Sequence, residues 1–339
     1  MPRDDAIGTT GSAEATRPRS VGFLLVPGFA LMSYASAIEP LRAANRLSGR
    51  DLYRWSHISL DGAAADASNG ASILADCQVG DDLRLDVLFV CAGGNPARFD
   101  HKPTLGWLRG LAHKGVTLGG VSGGPYILAR AGLLDGYRCT IHWEHVPAIV
   151  EEFPDLDVTR TLYEIDRDRL TCAGGIAALD MMHAVIEADH GHALAAEVSD
   201  WFLHSQVRLG SGPQRMNLRE RYGISHPKLL KVLEQMERRI ENPASREQLA
   251  AAAGISVRQL ERLFATHLGA TLGGHYASIR LDRAQSLLRQ TALPVLEIAV
   301  ACGFVSASHF SRSYKARFGR APRVERSPVQ RPDRRAEAR

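Results

Sequence analysis

Two similar helix-turn-helix patterns in the last third of the chain constrain the fold more than any other feature. Residues 245–264 read SREQLAAAAGISVRQLERLF. Ser245 and Ser256 have the position of helix N-caps, and Gly254 has that of the turn. Fifty residues later, 295–314 read VLEIAVACGFVSASHFSRSY, again with a glycine turn and a serine cap. The repeat predicts two helix-turn-helix units that read one DNA duplex.

Apolar residues also recur at helical spacing between the two units. They are Tyr276, Ile279, Leu281, Ala284, Leu287 and Leu288. This spacing predicts a long amphipathic helix that joins the units rigidly and so fixes their register on DNA.

Together these residues resemble the AraC/XylS family of transcription activators. The matching positions are the run from Tyr276 to Leu288, Ile298-Ala299, Gly303-Phe304, Phe310, Phe318-Gly319, Pro322 and Arg326. The sequence departs from the family at Leu272, where a proline usually enters the joining helix, so this helix is expected to start differently. The resemblance implies an all-α DNA-binding domain over residues 225–326 with two helix-turn-helix units.

The second helix of each unit is expected to read bases with the side opposite its apolar stripe. The stripes are Leu260, Leu263, Phe264 and Leu268 in the first unit, and Phe310 and Tyr314 in the second. The predicted DNA-binding residues are Arg258, Glu261 and Arg262 in the first unit, and Ser308, His309 and Arg312 in the second. These are also the base-reading positions that the resemblance implies. A phosphate contact by Arg258 or Arg262 stays an alternative, since backbone contacts are common in protein–DNA complexes.

The charge distribution supports the same division of the chain. Residues 225–339 hold 20 Lys and Arg against 10 Asp and Glu, and residues 1–224 hold 21 against 27. A basic C-terminal part beside an acidic remainder is typical of a nucleic-acid-binding module attached to a domain of another function.

Several functional classes are not expected. No apolar run approaches the roughly 20 residues of a membrane helix, and the first 19 residues lack the apolar core of a signal peptide. Residues 1–19 and 327–339 are predicted to be disordered tails. Five cysteines without paired short spacings favour reduced thiols and a bacterial cytoplasmic protein.

The first two thirds alternate between buried strands and helices. Val21 to Val26 is a continuous apolar run, and amphipathic helical spacing follows it from Phe29 to Leu47. Further strands are predicted at 55–60, 87–91, 116–121 and 170–173. This order predicts a doubly wound, flavodoxin-like α/β domain, in which ligands bind beyond the carboxyl ends of the strands.

The most informative stretch of this domain runs from Thr117 to Ala129, where a strand meets a helix through a tight turn at Ser122. A turn of this kind is typical of a nucleophile elbow. With Thr140-Ile141-His142-Trp143, the stretch resembles the class I glutamine amidotransferase-like (DJ-1/PfpI-like) domain. The resemblance implies such a domain over 20–206, with a linker at 207–224.

The resemblance also predicts which catalytic groups have changed. The superfamily's enzymes carry a cysteine at the elbow and often an acidic residue where this chain has Ser33, whereas His142 keeps the histidine position. A serine needs an oriented base to become a nucleophile. Ligand binding without catalysis is therefore favoured, and an amidase or hydrolase using Ser122 and His142 is the alternative. Cys91 is interpreted as a buried core thiol.

Neither a metal nor a cofactor is expected. His142, His145, His190 and His192 lack the spacing of a recognised zinc motif, and the cysteines lie elsewhere.

Two segments, 35–45 and 49–53, are most similar to regulators of glycine betaine, carnitine or arginine catabolism. This resemblance implies a small zwitterionic amine as effector, with its carboxylate at the Ser122 and Gly123 amides and its cation near Glu39 or Trp143. The full set of expected ligand-binding residues is Ser33, Tyr34, Glu39, Gly94, Asn95, Ser122, Gly123, His142 and Trp143. The expected partners are operator DNA, the effector, RNA polymerase and a second copy of the chain. The helical segments at 180–186 and 198–203 have two open interpretations. They support dimer contacts or the interdomain hinge, or they simply cover the sheet.

Overall fold

The structure is a computed structural model that describes residues 17–291 and 293–325. The strands are β1 (Arg19–Leu25), β2 (Tyr53–Ser59), β3 (Ala65–Asp66), β4 (Ser72–Ile73), β5 (Cys77–Gln78), β6 (Val87–Ala92), β7 (Thr117–Ser122), β8 (Arg138–Thr140), β9 (Asp157–Thr159), β10 (Tyr163–Asp166) and β11 (Arg169–Cys172). The helices that accompany them are α1 (Leu31–Ser48), α2 (Lys102–His113), α3 (Gly124–Arg130), α4 (Val146–Glu152), α5 (Ala177–His190) and α6 (His192–Trp201).

Seven strands form one sheet in the order β10-β11-β7-β6-β1-β2-β5, and only the edge pair β10–β11 is antiparallel. Every residue of β6 is buried, as expected for a strand covered on both faces. The helices α1, α5 and α6 contribute to the core on one face, and α2, α3 and α4 to the core on the other. The predicted doubly wound α/β fold is confirmed.

The remaining helices form the C-terminal part of the chain. They are α7 (Leu218–Tyr222), α8 (Pro227–Arg238), α9 (Arg246–Ala253), α10 (Val257–Leu268), α11 (Leu272–Gln290), α12 (Val295–Ala301), α13 (Ala307–Phe318) and α14 (Pro322–Glu325). The pairs α9–α10 and α12–α13 are the two predicted helix-turn-helix units.

Local chemistry explains the first unit. The hydroxyls of Ser245 and Ser256 each accept the backbone N–H of the residue three positions ahead. The side chains of those residues, Gln248 and Gln259, accept the backbone N–H of the two serines, which completes two capping boxes. Gly254 turns the chain between the helices in the left-handed region, at φ 62°. The predicted caps and turn are therefore confirmed.

Helix α11 joins the two units through two separate cores. Its first half buries Leu272 and Tyr276 with the first unit, and its second half buries Leu281 and Leu288 with the second. Its 19 residues span about 28 Å. The helix begins at Leu272 itself, where the hydroxyl of Thr271 caps it by accepting the N–H of Gly274. A proline is thus not needed for this start.

The segment expected to be a linker, 207–224, packs against the α/β domain. The side-chain amide of Gln214 donates to the carbonyls of Ile141 and Thr161 at 2.9 and 2.7 Å. Near the start of the same segment, Arg208 pairs with the fully buried Asp180 of α5. The joining segment is therefore anchored along its length.

Among the described residues, no helix combines the length and the apolar character that crossing a bilayer requires. The expected tail at 327–339 and Arg326 lie outside the described residues, as do residues 1–16.

Candidate effector site and nucleic-acid interface

Ser122 lies at a sharp elbow between β7 and α3. Its φ of 60° is unusual for a residue other than glycine, and only 6% of its surface is exposed. The start of α3 lies close to the neighbouring strand β6, because a Cβ on Gly124 would lie 1.9 Å from the carbonyl oxygen of Val90. Strain of this kind at one residue is typical of functional sites.

Ser33 of α1 lies beside this elbow. Its hydroxyl accepts the N–H of Gly175 at 2.7 Å. A Cβ on Gly174 would lie 2.6 Å from the Ser122 Cβ and 2.7 Å from the Ser33 Oγ, so the two serines flank the same glycine. The structure thus brings together the two positions where the chain departs from the catalytic set of the superfamily.

The geometry around His142 differs from that of a catalytic base. Its Nδ1 accepts the backbone N–H of Glu144 at 3.4 Å, and the Glu144 carboxylate is 4.0 Å away. In a triad, by contrast, the corresponding ring nitrogen donates to a carboxylate. Burial lowers the pKa of His142, which favours the neutral ring. In the described part of the chain, no hydrogen bond joins His142 to the Ser122 hydroxyl.

Trp143 presents its ring beside His142, with the ring centroids 5.3 Å apart, and 42% of its surface is exposed. A cation already covers it, because the guanidinium carbon of Arg215 lies 4.6 Å from its ring centroid. This distance is within the range of a cation–π interaction. The ring belongs to the residue after His142, whose backbone N–H donates to the Ser122 carbonyl at 3.2 Å.

The neighbouring loop contacts the joining helix. Gly94 adopts φ 61° after β6, and the following Asn95 donates from Nδ2 to the carbonyl of Arg289 near the end of α11. On the other side of the elbow, His145 lies against Gln290 of the same helix. The elbow and the DNA-binding part of the molecule are therefore in direct contact.

Polar groups at this contact are incompletely paired. His145 and Gln290 are 3% and 2% exposed, and their Nδ1 and Oε1 atoms have no partner of good hydrogen-bond geometry within the described ranges. The Oδ1 of Asn95 is also buried and has no hydrogen-bond partner within the described ranges. Buried polar side chains from both parts of the chain therefore meet at this contact.

The structure does not bring all the expected ligand residues to the elbow. Tyr34 packs its ring against Phe23, Phe29 and His57 in the core, and Glu39 pairs with Arg42 along α1 at 2.6 Å. These contacts follow from the helical spacing, which points both side chains away from the face of Ser33.

The expected use of the Gly123 amide is wrong for this conformation. Its N–H donates to the carbonyl of Ala92 at 3.0 Å, so it is not available to a carboxylate. The hydroxyls of Ser122 and Ser33 are other polar groups at the elbow, and that of Ser33 accepts the N–H of Gly175.

The cysteines nearest the sheet ends are buried. Desolvation raises the pKa of the Cys91 thiol far above its usual range and that of Cys172 to about 12. Both are therefore protonated at neutral pH and weak nucleophiles.

The candidate DNA-reading side chains of the first unit lie on one exposed side of α10, opposite the buried Leu260 and Phe264. Glu261 is engaged by Arg246 of α9 at 3.1 Å. For Arg258 and Arg262, the structure shows no intramolecular partner among the described residues. Two arginines are therefore presented to solvent at one face.

The second unit repeats this arrangement on α13, where Phe310 and Tyr314 are buried. Ser308 and Arg312 are exposed, and the exposed His309 lies against Phe304 with ring centroids 5.7 Å apart. Both faces are thus open, as the apolar pattern predicts.

An α/β domain with an elbow, joined to two helix-turn-helix units, is the architecture of a DNA-binding regulator. The comparisons agree. Residues 19–188 match the model of the DJ-1/PfpI family, and residues 249–327 match that of a helix-turn-helix domain.

Relatives match the chain over most of its length. The HTH-type transcriptional regulator CdhR of Pseudomonas aeruginosa is 47% identical over 90% of this chain and 90% of its own length. The HTH-type transcriptional regulator GlxA of Rhizobium meliloti is 45% identical over 92% of this chain and 96% of its own. The chain belongs to this family of AraC-type transcriptional regulators with a DJ-1/PfpI domain.

A solved structure shares the α/β fold. A putative transcriptional regulator protein from Vibrio parahaemolyticus covers 55% of this chain and all of its own, with 20% identity and a TM-score of 0.50. At that identity the likeness concerns the fold alone.

Proposed function

We propose that this DNA-binding transcription regulator is an activator whose α/β domain senses a small zwitterionic amine at the elbow. The class of effector is that of glycine betaine, carnitine or a basic amino acid. The observation that carries the proposal is the aromatic ring of Trp143, which accepts a cation and follows His142, whose backbone N–H donates to the carbonyl of Ser122.

The two ends of such an effector have matching groups. A carboxylate accepts hydrogen bonds from the hydroxyls of Ser122 and Ser33, and an ammonium or guanidinium group is attracted to the ring of Trp143. His142 and the Gly94-Asn95 loop border the same space. Because Arg215 covers the ring in the structure, the effector's cation would displace it.

Displacement of Arg215 offers a route to the DNA-binding part. Arg215 is adjacent to Gln214, which anchors the joining segment, and the elbow loops contact α11 through Asn95 and His145. Since α11 carries both helix-turn-helix units, a shift at these contacts would change how the units meet successive major grooves, about 34 Å apart.

We further propose that the elbow binds without converting its ligand. Among the residues that the structure describes, no base is hydrogen-bonded to the Ser122 hydroxyl and no carboxylate accepts the ring N–H of His142. A hydrolase would need both. The remaining parts of the proposal are a sensor domain at 20–206, a DNA-binding domain at 225–326, a homodimer that recruits RNA polymerase, and action in the bacterial cytoplasm.

Thermal-shift titration of the full chain with glycine betaine, carnitine, choline and arginine tests the effector class. A ligand that binds only the native state raises the melting temperature by mass action. Trp143→Ala should abolish the shift, and Trp107→Ala on α2 is the matched control. No shift with any compound would contradict the effector class. Turnover of an amide or ester substrate that is lost in Ser122→Ala would favour the hydrolase alternative.

A further inference from the structure

A cluster of potential metal ligands lies in the α/β domain where α5 ends and α6 begins. His183 and Glu187 are one turn apart on α5, and His192 is the first residue of α6. The Nε2 of His183 is 3.9 Å from one Glu187 oxygen, and the Nδ1 of His192 is 2.8 Å from the other. One ligand atom from each of the three residues lies within 4.8 Å of the other two.

The hydrogen bonds around His183 determine which of its ring nitrogens carries a proton. The hydroxyl of Ser199 donates to the carbonyl of Ala195 at 3.1 Å. Its oxygen is therefore an acceptor toward the Nδ1 of His183, which lies 2.8 Å away. Nδ1 therefore donates to Ser199, and Nε2, 3.9 Å from a Glu187 oxygen, is the ring nitrogen left to bind a metal.

The Nε2 of His183 and the carboxylate of Glu187 can both be ligands of one bound cation. The nitrogen, nitrogen and oxygen donor set is that of three-ligand zinc sites, and the bond that the Nδ1 of His183 donates to Ser199 is the kind of outer contact that orients a metal-binding histidine. Tetrahedral zinc ligands lie about 3.3 Å apart, between the 2.8 and 3.9 Å found here.

We propose that His183, Glu187 and His192 bind a divalent transition-metal ion of the zinc class. The site is accessible, because the His192 side chain is 77% exposed and that of Glu187 is 45% exposed. The ion would clamp α5 to α6 across Gly191, which turns the chain at φ 89°. Both helices pack against α1, which carries Ser33, so the metal would stabilise the scaffold of the elbow.

Zinc binding to the full-length chain tests this site. After treatment with a chelator and dialysis, the protein is titrated with zinc chloride in competition with a chromophoric chelator. We expect a single zinc ion per chain and a rise in melting temperature on its binding. His192→Ala and Glu187→Gln should each weaken zinc affinity by at least about tenfold, and Ser199→Ala by about 10- to 100-fold.

His113→Ala, which removes an exposed histidine on α2, is the matched control and should leave zinc affinity unchanged. Circular dichroism of each variant without metal establishes that it is folded, and the exposure of His192 makes its replacement the mildest. Equal zinc affinity in the His192→Ala and His113→Ala chains would place the ion elsewhere. That result, or the absence of binding to the unaltered chain, would overturn the proposal.

Discussion

The guanidinium of Arg215 covers the ring of Trp143, with 4.6 Å between the guanidinium carbon and the ring centroid. A side chain from the segment between the two domains thus occupies the surface that an effector's cation is proposed to bind. If the effector's cation binds this ring as proposed, the joining segment competes with it.

The first prediction concerns this competition. Arg215→Gln removes the internal cation, so the effector no longer has to displace it. An exposed cation–π contact is worth about 0.5–1 kcal/mol, which corresponds to roughly two- to fivefold tighter effector binding. Isothermal titration with the most effective compound of the thermal-shift panel measures the change. Arg219→Gln, on α7 and without a contact to Trp143, is the control. Weaker binding in Arg215→Gln alone would mean that Arg215 contacts the effector directly.

The second prediction concerns the contact between the elbow and α11. Gln290→Met keeps the length of the side chain but removes the buried amide that lies against His145. We expect effector affinity in the absence of DNA to be nearly unchanged, while the effect of the effector on operator affinity becomes smaller. Operator binding is measured by fluorescence anisotropy with and without effector. If the ratio of operator affinity with effector to operator affinity without it is the same in the variant as in the unaltered chain, coupling does not pass through Gln290.

The third prediction is a pH dependence of stability. Burial lowers the pKa of His145 to about 4, against 6.5 in the unfolded chain. As the pH falls from 6.5 toward 4, the unfolded chain binds a proton that the folded protein excludes, so stability present above pH 6.5 is progressively lost. At pH 5 this loss is about 2 kcal/mol relative to pH 7.5.

His145→Asn tests this prediction, because the asparagine does not titrate. The free energy of unfolding in urea should fall between pH 7.5 and 5 by about 2 kcal/mol less in the variant than in the unaltered chain. Parallel decreases in the two proteins would assign the acid sensitivity to other groups, of which His142 is the nearest, with ring centroids 5.8 Å apart.

The elements of the fold were predictable from sequence where burial is uniform. The run Val21–Val26 was placed within two residues of β1, because a strand covered on both faces is continuously apolar. The edge strand β10 was missed, since its sequence YEID carries two acidic residues and lacks such a run. The spacing of the capped helices likewise indicated both helix-turn-helix units.

The site was predictable only in part. The turn at Ser122 has a local signature, and so does the exposed face of α10. The contacts of Trp143 with Arg215, and of Asn95 with Arg289, join residues distant in the chain, and no periodicity marks them. The sequence does contain a signal for His183 and Glu187 of the proposed metal site. They are four residues apart, which places two potential ligands on one face of a helix.

The fourth prediction concerns the reading of bases. Arg262 of α10 and Arg312 of α13 are exposed on the faces opposite the buried Phe264 and Phe310. If each contacts a base edge, Arg262→Ala and Arg312→Ala should each cost about 1–3 kcal/mol on the preferred operator and relax the preference at a few adjacent base pairs.

Salt titration separates base contacts from phosphate contacts in the same experiment. Operator affinity of the full chain should fall steeply with salt, because the excess of positive charge lies in residues 225–339 and phosphate contacts release counterions. A base-reading arginine should lower affinity for the operator more than for random DNA and leave the salt slope nearly unchanged. Equal losses on both DNAs, with a slope smaller by about one, would instead assign that arginine to a phosphate. Footprints and affinities unaltered by both substitutions would refute the proposed reading faces, because α10 and α13 would then bind DNA through other sides or not at all.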